Sequence, residues 1–147
     1  MSTDAPTSLL RPLVEDLAER RATAKLGGGE EKIAKQHAQD KLTARERIDL
    51  LCDDGTFTEI GIHGGIHFSV RGLEGKEAPA DGVVCGYGKI DGRLACVVAY
   101  DFTVMAGSMG MTGETKVSRL RELALTKRIP FVWLLDRSSA FLLRMLG

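Results

Sequence analysis

The chain has 147 residues, with 20 basic and 20 acidic side chains, so its formal net charge is zero. A balanced charge excludes a strong field that would recruit nucleic acid or an acidic membrane surface. The longest apolar runs are far shorter than a membrane span, and residues 1–8 lack the apolar core of a signal peptide. The sequence therefore predicts a cytoplasmic protein without nucleic-acid or membrane partners, and its length suits one domain.

The first forty residues are predicted to form two helices. Five apolar residues recur at helical spacing in the first helix: Leu9, Leu10, Leu13, Val14 and Leu17. Pro12 suits the start of this helix, and Gly27-Gly28-Gly29 ends it. Glu30–Gln39 indicates a second, polar helix. Because the apolar stripe is narrow, we expect both helices on the outside of the domain or on a neighbouring subunit. We call residues 1–40 the N-terminal extension and residues 41–147 the main domain.

The main domain is predicted to begin with a helix. Thr43 and Glu46 have the Thr-x-x-Glu spacing of a capping box, just before an apolar run. Three basic residues flank this helix start: Lys41, Arg45 and Arg47. On the residues alone, such side chains are typical of a solvated face.

Residues 61–79 are predicted to be a long loop, because they contain many glycines and no helical or strand periodicity. His63 and His67 lie four residues apart, a spacing that suits a metal on a helix. Two glycines between them argue against a helix, and no third ligand is evident. We therefore predict no metal.

The strongest local prediction is a β-hairpin. Asp81–Ile90 and Arg93–Asp101 are β-rich and separated only by Asp91-Gly92, a dipeptide that supplies the positive φ angles of a tight two-residue turn. The second strand is apolar on both faces from Leu94 to Tyr100, which indicates a strand covered on each side.

The three cysteines, at positions 52, 85 and 96, form no C-x-x-C pair. The predicted turn would pair Cys85 with position 98 and Cys96 with position 87, so these two cysteines are out of register with each other. We therefore predict reduced, buried thiols in a reducing compartment.

A crossover unit follows the hairpin. The helix Glu114–Lys127 and the apolar run Phe131–Leu135 predict a strand parallel to the second hairpin strand, with a right-handed connection. The segment before the helix, Met105–Gly113, has two interpretations. Its backbone amides could meet a thioester or phosphate at a helix N-terminus, or it could be an ordinary connecting loop.

Four segments together resemble a known family: Lys41–Ile48, Asp81–Val84, Asp101–Val104 and Gly107–Gly110. In order and spacing they resemble the carboxyltransferase β subunits of biotin-dependent acyl-CoA carboxylases, of the propionyl-CoA and acetyl-CoA type. The resemblance implies an α/β, crotonase-like fold, a superhelix of ββα turns. It also implies an enzyme of fatty acid metabolism that transfers a carboxyl group from carboxybiotin to the α-carbon of an acyl-CoA.

Members of that family carry two such domains in a much longer chain. The resemblance therefore implies an incomplete N-terminal domain that holds the acyl-CoA side of the reaction, with biotin supplied by a partner subunit. The implied partners are a biotin carboxylase or biotin carrier subunit and a complementing carboxyltransferase chain or further copies of this one. Gly107 and Ser108 are expected to bind acyl-CoA, and Lys41 and Arg45 are expected to contact its phosphates.

The end of the sequence departs from the family. After Asp136 the family pattern continues Ser-Gly-Gly-Ala-Arg, whereas this chain has Arg137-Ser138-Ser139-Ala140. By resemblance, Ser139 and Ala140 would supply the backbone N–H donors that stabilise a thioester oxyanion. A side chain in place of glycine removes access to positive φ and narrows the approach of a ligand. The alternative is that the last eleven residues hold no site.

Two functions remain open at this point. The chain could be an enzyme component that binds acyl-CoA and joins a complementing chain. It could instead be a non-catalytic remnant or assembly piece that keeps the contact surfaces of the fold. In either case we expect no carboxyl transfer by this chain alone.

Overall fold

The structure, a computed structural model, describes residues 9–65 and 77–136. Those residues form helices α1 Arg11–Lys25, α2 Glu30–His37, α3 Ala44–Leu51 and α4 Met111–Lys127. They also form strands β1 Thr58–Glu59, β2 Val83–Ile90, β3 Arg93–Tyr100 and β4 Phe131–Leu134. Within the described ranges, no helix is both long enough and apolar enough to cross a membrane.

The strands form one sheet in the order β1-β2-β3-β4. β2 and β3 are antiparallel, whereas β3 and β4 are parallel and joined through α4. The predicted hairpin and its register are confirmed, since Cys85 pairs with Val98 and Tyr87 with Cys96. The parallel pairing of β3 with β4 is also confirmed, whereas the right-handed connection stays a prediction. All three cysteines are free and buried, as predicted.

The hairpin turn is fixed from outside as well as by its own sequence. Asp91 and Gly92 have φ angles of 49° and 76°, as the Asp-Gly dipeptide predicted. The carboxylate of Asp53 accepts both of their N–H groups, at 2.9 and 2.8 Å. A distant acidic side chain therefore stabilises the turn that sets the register of β2 and β3.

Both faces of β3 are covered, as its apolar sequence predicted. On one face, side chains of β2 and β3 pack with three residues of α4: Val117, Leu120 and Ala124. On the other face, Val84, Val97 and Ala99 pack with residues of α3 and its C-terminal end: Ala44, Ile48 and Cys52. The sheet is thus the middle layer between α4 and α3.

Several element boundaries differ from the predictions. α4 begins at Met111, three residues before the predicted Glu114, and α2 ends at His37 rather than Gln39. The described parts of the predicted loop over residues 61–79 contain no helix or strand up to the turn Pro79–Gly82, at which the predicted range ends. Residues 66–76 of that segment, including His67, lie outside the described residues.

The helix at the start of the main domain is capped as predicted. The Thr43 hydroxyl accepts the N–H of Glu46 at 3.3 Å, and the Glu46 carboxylate accepts the N–H of Thr43 at 2.7 Å. In the N-terminal extension, the described part of the chain buries no residue of α1, whereas Gln36 of α2 is only 4% exposed. The boundary between residues 40 and 41 stays a prediction.

Candidate functional site

Two left-handed turns meet beside the N-terminus of α4. Ala80, Asp81 and Gly82 have φ angles of 53°, 53° and 68°. Three further consecutive residues also have positive φ angles: Met105 at 47°, Ala106 at 53° and Gly107 at 73°. The two turns touch, because a Cβ on Gly82 would lie 2.6 Å from the carbonyl oxygen of Ser108. Positive φ at a residue other than glycine costs about 1–3 kcal/mol, and such strain concentrates at functional sites.

A buried carboxylate caps α4 from the first of these turns. Asp81 accepts the N–H of Gly113 at 2.7 Å. A Cβ on Gly110 would lie 2.5 Å from its Oδ1 atom, so the carboxylate sits against the first turn of the helix. The partial positive charge of the helix N-terminus is therefore already matched by an internal anion. A phosphate placed there would face Asp81, whereas the oxygen of a neutral thioester would not meet the same repulsion.

Lys116 fastens the same turn to α4. This residue is 8% exposed, and its Nζ donates to the carbonyl oxygens of Ala80 at 2.6 Å and Val83 at 2.8 Å. A third carbonyl, that of Gly61, lies at 3.4 Å. Burial lowers the pKa of Lys116 below its ordinary value, against the opposing effect of nearby acidic groups. The buried ammonium therefore binds three backbone carbonyl oxygens.

We expect the contribution of Lys116 to stability to grow as the pH rises towards 10.5. Its pKa in the folded chain lies below the ordinary 10.5, so between these values the unfolded chain binds more protons than the folded chain. Stability then rises with pH through that window. The charged or titratable groups around Lys116 are Cys85, Glu59, Asp81 and Arg45.

The measurement is the difference in the free energy of unfolding between the wild type and a Lys116→Met variant, at about pH 8 and about pH 10. Burial raises the pKa of Cys85, which makes stability fall with rising pH in both proteins. Lys116 lowers that pKa, so its removal steepens this fall in the variant and widens the difference in the same direction. A difference that shrinks as the pH rises would contradict the lowered pKa of Lys116.

Gly107 ends the second left-handed turn, and Ser108 follows it with extended backbone at a φ of −77°. The N–H of Gly107 donates to the Val104 carbonyl, and the N–H of Ser108 donates to the Met105 carbonyl, each at 3.1 Å. These two amides therefore shape the loop. The amides of Met111 and Thr112 have no partner among the described residues, and they belong to the exposed end of α4 that the loop leads into.

Lys41 and Arg45 contact different partners in the structure. The guanidinium of Arg45 pairs with both carboxylate oxygens of Glu59, at 2.5 and 3.0 Å, and its Nε donates to the carbonyl of Lys25. Lys41 is about half exposed, with its Nζ 5.3 Å from the ring centroid of Phe102 and 3.6 Å from Oδ1 of Asp136. Phosphate binding by either residue stays a prediction, and for Arg45 it would require the loss of the Glu59 pair.

Ser139 and Ala140 lie outside the described residues. The last described residue is Asp136, just beyond the carboxyl end of β4. β3 and β4 are parallel, so Asp136 and the segment from Asp101 to Ser108 follow strand ends at one edge of the sheet. Lys41 joins this edge through Phe102 and Asp136. Sequence reasoning missed Asp81 and Lys116, whose contacts span 32 to 55 residues along the chain.

Residues 35–145 match the family model described as the carboxyl transferase domain. Methylmalonyl-CoA decarboxylase subunit alpha of Veillonella parvula is 45% identical over 130 residues, which cover 86% of this chain and 25% of that protein. The methylmalonyl-CoA carboxyltransferase 12S subunit of Propionibacterium freudenreichii subsp. shermanii is 43% identical over 133 residues, which cover 90% and 25%. The mitochondrial propionyl-CoA carboxylase beta chain of Homo sapiens is 40% identical over 129 residues, which cover 86% and 24%.

Solved structures give the same picture. Transcarboxylase 12S, determined with methylmalonyl-coenzyme A and methylmalonic acid bound, has a TM-score of 0.85 at 42% identity, covering 90% of this chain and 26% of that chain. A single-chain, multi-domain long-chain acyl-CoA carboxylase has a TM-score of 0.76 at 34% identity. The match covers 88% of this chain and 14% of that chain. The chain spans about a quarter of the length of the curated relatives it matches.

Proposed function

Because the chain belongs to the carboxyl transferase domain family, we propose that it supplies the acyl-CoA side of a carboxyl transfer between biotin and an acyl-CoA. Forming or breaking a carbon–carboxyl bond at the α-carbon of a thioester places negative charge on the thioester oxygen. Donors fixed before the reaction stabilise that charge most effectively. The proposal therefore needs a rigid segment that holds the thioester close to backbone amides.

The observation that carries the proposal is the left-handed turn Met105–Gly107 beside the N-terminus of α4. Two of its residues have side chains at positive φ, so the backbone conformation is held by its surroundings at an energetic cost. The adjoining amides of Met111 and Thr112 have no partner in the described ranges. With the Asp81 carboxylate also present, we infer that this site accepts the thioester end of the ligand rather than its phosphates, because the thioester is neutral when it binds. The amides must then offset the repulsion between Asp81 and the charge that develops on the thioester oxygen during the reaction.

The phosphates of the ligand would then lie nearer Lys41. Its side chain is about half exposed and lies over Phe102, at the start of the segment that leads to Gly107. A flexible ammonium that is only loosely paired with Asp136, at 3.6 Å, can contact a phosphate without breaking a close ion pair. Arg45 is held more tightly by Glu59 and is the weaker of the two proposed phosphate contacts.

The substrate class follows from the relatives. Their names include methylmalonyl-CoA and propionyl-CoA enzymes, and we propose a short-chain acyl-CoA of that kind. Biotin would come from a partner subunit, and we assign no residue of this chain to it and no metal to the site. Ser139 and Ala140 keep their proposed role as backbone donors.

Replacing Gly107 with valine is expected to abolish binding of coenzyme A or propionyl-CoA. Gly107 has a φ of 73°, which a β-branched residue does not adopt without strain, so the turn would have to rearrange. The wild type is expected to bind in the high micromolar to millimolar range, worth about 4–6 kcal/mol. Titration calorimetry on the two proteins measures the difference.

Gly55→Val is the matched control, because Gly55 also has a positive φ, of 68°, and space around it for a side chain. Both variants carry the same type of backbone strain, but only one carries it in the proposed site. Equal binding by the wild type and the Gly107 variant would show that the turn is only a connector.

A second candidate function is assembly without turnover. The apolar stripe of α1 is exposed, with Leu13 and Val14 more than 60% accessible, which suits a contact with another chain. The same titration separates the two candidates. A folded wild type that binds neither coenzyme A nor propionyl-CoA would favour the assembly role.

A further inference from the structure

The N-terminal extension crosses the edge of the sheet at which β3 and β4 end. These strands are parallel, and the residues that follow them, 101–108 and 136, are both contacted from the extension. In α/β sheets, ligands bind outside the carboxyl ends of the strands. The extension therefore reaches the proposed site at two separate points.

The first contact lies at the turn between α1 and α2. The N–H of Gly28 donates to the hydroxyl oxygen of Thr103 at 2.9 Å, and that hydroxyl donates to Asp101 at 2.6 Å. Both acceptor residues are buried. A Cβ on Gly28 would lie 1.9 Å from the carbonyl oxygen of Thr103, and a Cβ on Gly27 would lie 2.5 Å from the Asp101 carboxylate. Any larger residue would push the extension away from the 101–108 segment.

The second contact lies at the end of α2. Gln36 is 4% exposed, although it is a polar residue on an otherwise exposed helix. Its Nε2 donates to Oδ2 of Asp136 at 2.9 Å, while Lys41 faces the other carboxylate oxygen of Asp136. Buried polar side chains are kept where they have a partner, and here the partner is a residue just beyond the end of β4.

We propose that Gly28 and Gln36 are positioning residues of the acyl-CoA site, each holding one of the two segments that form it. This inference rests on the proposed function. The sheet brings the two segments together, because β3 and β4 pair as far as Ala99 and Leu134. Beyond these strand ends the segments share no described hydrogen bond with each other, and the extension adds one hydrogen bond to each of them. The N-terminal extension then belongs to the site and is not merely an outer attachment to the domain.

The test exchanges the donor and the acceptor at the second contact. Gln36→Glu places a second carboxylate against that of Asp136, and their repulsion should make the backbone of residues 134–136 more mobile. Adding Asp136→Asn places an amide donor opposite the introduced carboxylate, so the double variant should recover. Backbone ¹⁵N order parameters of the ligand-free chain should fall from about 0.85 to below about 0.6 at residues 134–136 in the single variant only. Loss of a hydrogen bond to a charged group predicts a roughly 10- to 100-fold weaker affinity for propionyl-CoA.

The matched control is Gln39→Glu, the same substitution at an exposed position three residues later. It should change neither the order parameters nor the affinity. Gly28→Ala tests the first contact, and should lower the order parameters at residues 103–108 while leaving those of β2 unchanged.

The outcomes separate the two proposals. Unchanged order parameters in Gln36→Glu and Gly28→Ala, or a double variant that fails to recover, would overturn the positioning role. Order parameters that respond as expected, in a wild type that binds no acyl-CoA, would instead remove the proposed function. In that case the extension would be shown to fix the two segments for a purpose other than this ligand, and the assignment to an acyl-CoA site would be wrong.

Discussion

Replacing Lys116 with methionine is expected to lower the free energy of unfolding by about 2–4 kcal/mol at neutral pH. The ammonium donates to the carbonyls of Ala80 and Val83, and methionine offers them no donor. A buried acceptor left without a partner costs about 1–3 kcal/mol. Methionine fills a similar volume, so a cavity is not the main cause. Urea unfolding followed by circular dichroism measures the loss.

Lys127→Met is the matched control, because Lys127 lies exposed at the end of the same helix. It should change stability by less than about 0.5 kcal/mol. If Lys116→Met costs no more than this control, then the three carbonyls are satisfied in another way and Lys116 does not hold the 80–82 turn.

Replacing Leu120 with alanine is expected to cost about 2–5 kcal/mol of stability. Leu120 is fully buried where α4 packs on the sheet, in a cluster with Val83, Cys85 and Val98. Its removal loses the transfer free energy of the side chain and leaves a cavity between the helix and the two central strands. Urea unfolding again measures the difference, with the slope of the transition checked for two-state behaviour.

The control is Leu125→Ala on the same helix, where the leucine is 81% exposed. Both changes remove the same atoms and have the same effect on helix propensity, so their difference reports burial alone. A Leu125 variant as unstable as the Leu120 variant would mean that another chain or segment covers that face.

The hairpin could be predicted in detail because its determinants are local. The Asp91-Gly92 turn fixes the register, and the continuous apolar run of β3 identifies a strand with two covered faces. The capping box at Thr43 and the glycine stop after α1 are equally local signals. The structural relatives confirm the crotonase-like fold that the resemblance implied.

The early start of α4 and the turn before β2 could not be predicted, because distant residues determine them. Asp81 caps α4 across 32 residues, which allows the helix to begin at Met111. From the sequence alone, Asp81-Gly82 is predicted to be the start of a strand. Ala80, which has a positive φ, is contacted at its carbonyl by Lys116, a residue 36 positions away in the sequence.

The candidate site was predicted only in part for the same reason. Gly107 is buried at the end of a strained turn, and Lys41 lies at the edge where β3 and β4 end, but their roles in binding acyl-CoA stay predictions. Arg45 is tied to Glu59, a partner that helix patterning does not identify. The role of Gln36 could not be predicted either, because no sequence pattern distinguishes one glutamine on a polar helix. Only the structure shows that Asp136 is its partner.

The reach of the N-terminal extension sets an order of events during synthesis on the ribosome. Gln36 meets Asp136 across 100 residues and Gly28 meets Thr103 across 75, so neither contact can form when the extension first emerges. The extension must therefore remain undocked until residues 103 and 136 have been translated. Contacts of such long sequence separation slow folding, because the chain closes a large loop before any contact compensates for the lost entropy. Until β4 has left the exit tunnel, β3 also lacks its parallel partner, and such an unpaired strand edge is prone to aggregation.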